Sequence, residues 1–157
     1  MARGVAQLLG WDWVDSDDQI EQRAGMTIAE VFAQRGEPGF RDLEQEVIAQ
    51  LSEADRTVIA LGGGAVLREA TRELLQRSGV VVWLTAPAET LAARITADAA
   101  SADRRPSLTG LPPREEVRRL LAEREPLYRE CATFTVETEQ RSLDEIAELI
   151  PSRITSP

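Results

Sequence analysis

The strongest constraint on this chain is an alternation. Short β-branched runs at 11–14, 57–61, 80–84 and 133–136 are separated by amphipathic stretches of about ten residues. Residues 1–9 are helical in composition, with Val5, Leu8 and Leu9 on one face and Gly10 as the stop. Thr27 is placed to cap a helix over 28–35, with Glu30 completing a capping box and Gly36 ending it. Apolar residues at 40, 43, 47, 48 and 51 predict a further helix over 40–51, and helices follow at 67–77, 87–95, 114–121 and 142–150. Strands alternating with helices predict an α/β fold, a three-layer parallel sheet with helices on both faces. The run Val80-Val81-Val82-Trp83-Leu84 is the clearest signal of a buried strand. Between 97 and 113 the periodicity disappears into Ala, Ser, Asp, Arg, Gly and Pro, the mark of a lid or insert. No repeat or linker divides the chain, so residues 1–157 are expected to form one domain.

Composition removes whole classes of chemistry. One cysteine excludes a disulfide framework and any multi-cysteine metal site. There is no histidine, and all 18 basic residues are arginine, so imidazole catalysis, Schiff-base chemistry and a phosphate-loop lysine have no residue to perform them. A formal charge of −9 argues against nucleic-acid or anionic-membrane binding. With no apolar run of membrane-spanning length and no signal-peptide core, the expectation is a soluble, cytoplasmic protein.

In an open α/β sheet, ligands bind beyond the carboxyl ends of the strands. Two candidates fall there. Asp15-Ser16-Asp17 follows the first strand, and its carboxylates suit hydroxyl binding, proton acceptance or magnesium, or simply cap the next helix. Gly62-Gly63-Gly64 follows the second, either as N–H donors to an anion or as a flexible turn. Arg124 shares a stripe with Val117, Leu120, Leu121 and Tyr128, so its guanidinium points where apolar residues point and needs an anion. Arg41 lies three residues before Glu44, which can orient it by a charge-assisted bond or form an ordinary surface pair with it. Arg104 and Arg105 lie in the loose segment, either solvated or turned to an anion.

Taken together, Asp-x-Asp at 15–17, Gly-Glu-Pro-Gly-Phe-Arg-x-Leu-Glu at 36–44, Leu-Gly-Gly-Gly at 61–64, Arg-Pro-Ser-Leu at 105–108 and Arg-x-Pro-Leu-Tyr at 124–128 resemble shikimate kinase, in order and at suitable separations. The resemblance runs from residue 1 to about 150. It implies a fold of the P-loop nucleoside-monophosphate-kinase type and transfer of the ATP γ-phosphate to the 3-hydroxyl of shikimate, with magnesium, by a monomer. By position, it implies that Asp17 holds the ring hydroxyls and is the candidate base. Arg41 and Arg124 clamp the carboxylate, with Glu44 orienting Arg41. Gly63 and Gly64 donate N–H groups, and Phe32 and Phe40 wall the pocket. Asp15 touches the magnesium shell, Arg105 closes on the phosphates with the lid at 97–113, and Gln140 and Arg141 border the adenine.

The chain departs from that pattern in two places. Ser107 stands where the family usually has an apolar residue, in a lid loop that looks long. The family also opens with a central strand and a Gly-x-x-Gly-x-Gly-Lys-[Ser/Thr]-Thr loop, and neither is found in these 157 residues. Two expectations follow from the second departure. The strands at 11–15, 57–61, 80–84 and 133–136 should stand as pairs about a gap, and the chain as written should transfer no phosphate. Alternatives are a non-catalytic shikimate-binding homologue, a structural or interaction protein without a ligand, and a gluconate kinase of the same fold.

Overall fold

The computed structural model describes residues 1–97 and 110–154. Four strands alternate with helices: α1 Ala2–Leu9, β1 Asp12–Asp15, α2 Ser16–Ala24, α3 Ile28–Leu51, β2 Thr57–Ala60, α4 Glu69–Ser78, β3 Val82–Thr85, α5 Ala88–Ala97, α6 Pro113–Cys131, β4 Phe134–Glu137 and α7 Leu143–Ile154. Every strand falls within two residues of its predicted place. The pairing is parallel, as the alternation predicts. Among the described residues it gives two separate two-stranded sheets, β1 with β2 and β3 with β4. Asp12 faces Thr57 in the first pair and Val82 faces Phe134 in the second.

The sheets are covered on two sides. Val58 of β2, Val82 of β3 and Phe134 and Val136 of β4 pack on one cluster with Val5 of α1 and Ile146, Ala147 and Ile150 of α7. On the other side Leu61 and Val81 join Ile48, Leu75, Leu127 and Cys131, which come from α3, α4 and α6. A third cluster, built on Ile20, Val31, Phe40, Leu43 and Val47, ties α2 to α3. Among the described residues, no helix is long and apolar enough to cross a membrane.

Local rules account for the breaks. Gly36 sits at φ 66° inside α3, a backbone conformation that L side chains rarely adopt, and it turns one helix direction into another. The capping box at Thr27 is present in both directions.

Three expectations need correction. Val80 and Leu84 are 48% and 38% exposed, so the strand expected to be buried at 80–84 is only partly so. β3 starts only at Val82 and pairs on one side, so its hydrophobicity exceeds its burial. The helix expected over 114–121 continues through Pro126 to Cys131, and the one expected over 142–150 continues through Pro151 to Ile154. In the first case Leu127, Tyr128 and Cys131 pack into the cluster with Ile48 and Leu75, and that burial outweighs the hydrogen bond a proline removes. In the second, Ile154 packs with Val5 and Ile150.

Candidate active site

The three glycines after β2 each lie against a different functional side chain. A Cβ built on Gly62 would stand 3.2 Å from Asp17 Oδ1. One on Gly63 would stand 3.0 Å from the Tyr128 hydroxyl and 3.9 Å from Arg124 Nη1. One on Gly64 would run into Arg41 Nη1 and lie 2.7 Å from its Cζ. Three helices, α2, α3 and α6, bring Asp17, Arg41 and Arg124 up to the backbone of these glycines, where a side chain would crowd them. Among the described residues the N–H groups of Gly63 and Gly64 meet no acceptor, while Ala65 and Leu67 donate back to Gly62 and Gly64 and close the turn.

Arg41 is buried with its partner. Its Nη1 donates to Glu44 Oε2 at 2.7 Å and its Nη2 to Glu37 Oε1 at 3.4 Å. The guanidinium lies 5.0 Å above the Phe40 ring, and Phe40 stacks on Phe32 with centroids 4.5 Å apart. The predicted pocket wall is therefore the floor under Arg41. Arg41 Nε is buried without a partner among the described residues, as is the Ser16 hydroxyl. Burial pushes the Glu44 carboxyl up from the ordinary glutamate value; the Arg41 charge and hydrogen bond oppose this, the Asp17 charge adds to it and the Arg124 charge opposes it. Asp17, Arg41, Glu44 and Arg124 thus share one electrostatic site.

Arg124 is half-buried on the predicted stripe of α6 and has no hydrogen bond or ion pair among the described residues. A guanidinium held that way beside N–H groups without acceptors has the chemistry to bind an anion. Asp15 is the N-cap of α2, and its Oδ1 accepts from the Asp17 N–H at 2.9 Å, so the capping role is realised. Among the described residues no cluster of three or more metal-ligating side chains occurs. One carboxylate is nonetheless what magnesium uses where water and phosphate oxygens fill the rest of its shell, so the Asp15 donor fits that ion.

Gln140 and Arg141 are exposed in the turn between β4 and α7, away from the glycine turn in sequence and at the carboxyl end of their strand. Arg104, Arg105 and the rest of residues 98–109 of the lid expected at 97–113 lie outside the described residues.

Sequence reasoning gave Tyr128 no role. Its hydroxyl donates to the Gly63 carbonyl at 2.6 Å and its ring stacks on Trp83 at 5.5 Å, fixing the turn against α6. The signal was its place four residues after Arg124 on the same stripe.

The sequence profile described as shikimate kinase matches residues 1–155. The chain is 47% identical to a shikimate kinase of Rhodopirellula baltica over 146 residues, 93% of this chain and 78% of that protein. It is 45% identical to one of Symbiobacterium thermophilum over 96% of this chain and 86% of the other. Among solved structures, the shikimate kinase of Acinetobacter baumannii in complex with shikimate superposes with a TM-score of 0.89 at 38% identity, covering 99% of this chain and 87% of that one.

Proposed function

The chain belongs to the shikimate kinase family, and on that premise we propose that the glycine turn with Arg41, Arg124 and Asp17 is its shikimate site. The observation that carries this reading is the unpartnered Arg124 guanidinium directed at the turn on which Arg41 packs. Two guanidiniums on one carboxylate give charge-assisted hydrogen bonds, each worth about 1.5–3 kcal/mol. Glu44 fixes the Arg41 fork, Phe32 and Phe40 support it from below, and the Gly63 and Gly64 N–H groups add donors. Asp17, against Gly62, accepts from the ring hydroxyls and takes the proton of the 3-hydroxyl as that oxygen attacks.

For the nucleotide half, Arg105 would meet the phosphates and Gln140 and Arg141 the adenine of ATP. Asp15 would hold part of a magnesium shell, and the ion when bound supplies charge neutralisation to the phosphates. The proposal takes residues 1–157 as one domain with its lid at about 97–113, supported by the family match over 1–155, and as a cytoplasmic monomer, for gel filtration and cell fractionation to check.

The 157 residues contain no lysine and no Gly-x-x-Gly-x-Gly-Lys loop. Phosphoryl transfer depends on such a cradle for the β- and γ-phosphates, so these residues by themselves should bind shikimate without phosphorylating it. The family's central strand would also fit between the two sheets, which do not pair with each other among the described residues. Calorimetric titration with shikimate and a coupled ATPase assay on the purified chain test both parts. Absence of shikimate binding defeats the site assignment. Robust turnover, free of host kinase, defeats the inactivity.

A further inference from the structure

Arg72 is a charged group that nothing above uses. It lies on α4, is only 9% exposed, and donates three well-made bonds. Nη1 reaches the Val66 carbonyl at 2.9 Å and the Leu67 carbonyl at 3.3 Å, and Nε reaches Glu130 Oε1 on α6 at 3.0 Å. Burying a guanidinium is costly unless its donors are satisfied. A leucine would fill a helix face at less expense, so the specific bonds are what an arginine adds here.

Those bonds join two parts of the shikimate site. Val66 and Leu67 belong to the segment that begins at the glycine turn, ahead of α4, whose N-cap residue Arg68 makes no side-chain cap bond. Glu130 lies six residues after Arg124 on the same helix. Gln76, one turn along α4, donates to the Glu130 carbonyl at 2.7 Å and strengthens the same junction. The segment 63–67 is therefore pinned to α6 twice, by Tyr128 on the Gly63 carbonyl and by Arg72 bridging to Glu130. The N–H of Gly64 lies between the pins and that of Gly63 just before the first, and beside them is the Arg124 guanidinium.

We propose that Arg72 is a positioning residue: with Glu130 it sets the register of the glycine turn against the Arg124 helix, and through that register it sets affinity for the substrate carboxylate. The second half rests on the shikimate reading; the first does not. Side-chain placement within about half an ångström decides whether converging donors meet one anion.

The test uses Arg72→Lys and Glu130→Gln in the full 157-residue chain, the second being a mild change at a half-exposed carboxylate. In ligand-free protein, amide hydrogen exchange should quicken at Ala65 and Leu67 and stay unchanged at Val14 and Ile59. In calorimetry each variant should weaken shikimate binding about tenfold. In an Arg124→Ala background, neither change should weaken it further, a coupling that a general loss of stability does not produce. Unchanged exchange at Ala65 and Leu67 overturns the positioning role. Changed exchange with unaltered affinity, or full additivity with Arg124→Ala, overturns the link to binding. If the unsubstituted chain binds no shikimate, the functional reading fails and the exchange arm alone decides the role of Arg72.

Discussion

Arg41 Nη1 donates to Glu44 Oε2 at 2.7 Å, and the two side chains are only 10% and 6% exposed. The pair is buried, yet burial still holds the Glu44 carboxyl above its ordinary range despite the cation beside it. An acid whose native pKa is raised binds its proton more tightly in the native state than in the unfolded one. Its contribution to stability is therefore fully present below the ordinary glutamate value and is lost as pH rises through the native one. Glu44→Gln removes that titration. The stability of the parent chain minus that of Glu44→Gln, from urea melts between about pH 4 and about pH 7, should fall as pH rises. A difference that rose with pH would mean that the Arg41 charge outweighs burial.

Gly64 is where Arg41 meets the backbone. A methyl group there collides with the guanidinium, which cannot swing away without breaking its bond to Glu44. Gly64→Ala should leave the far-ultraviolet dichroism unchanged and weaken shikimate binding about tenfold or more, the loss of one charge-assisted bond. Gly79→Ala is the control, since a Cβ there meets nothing within 4 Å. Equal affinities for the two variants would remove Arg41 from the site.

Features encoded within a few residues were legible. Thr27 with Glu30, Gly36 as a break, Arg41 with Glu44 and the Arg124 stripe each depend on spacings that a helix fixes. Features that depend on distant partners were not. Where the last two helices end is one of them, since only the packing of Cys131 and Ile154 shows that they run to those residues. The apolar run at 80–84 gives hydrophobicity but not how many neighbours its strand finds. The Tyr128 bond to Gly63 spans 65 residues, and the Arg72 bond to Glu130 spans 58, so no local pattern announces either.

Tyr128 offers a direct measure of how firmly the glycine turn is held. Tyr128→Phe keeps the ring stacked on Trp83 and deletes one hydroxyl, leaving the Gly63 carbonyl without that donor. A neutral hydrogen bond contributes about 1 kcal/mol, which in a chain of this size lowers Tm by about 2–4 °C. Shikimate affinity should drop with it, because the Gly63 N–H shares a peptide turn with that carbonyl. An unchanged Tm in differential scanning calorimetry would show the bond to be energetically silent.

In the proposed site Arg124 and Asp17 would address opposite ends of the acceptor, so their variants should fail in different ways. Arg124 has no hydrogen bond or ion pair among the described residues, so Arg124→Ala breaks no such bond, and its cost should appear in shikimate binding rather than in folding. Removing one charged bond to the substrate corresponds to about 1.5–3 kcal/mol, a loss of affinity of about tenfold to a hundredfold. Arg124→Lys should recover only part of it, because an ammonium cannot reproduce the planar fork. Asp17→Asn keeps a carbonyl oxygen at the Gly62 backbone but loses the negative charge that favours departure of the hydroxyl proton. In a version of the chain supplied with an upstream phosphate loop, Asp17→Asn should lower kcat far more than it raises the shikimate KM, and Arg124→Ala should raise the shikimate KM and leave the ATP KM in place. Steady-state kinetics with each substrate varied in turn separates the two. A shikimate KM unmoved by Arg124→Ala would leave that half-buried guanidinium without a ligand and withdraw the carboxylate clamp.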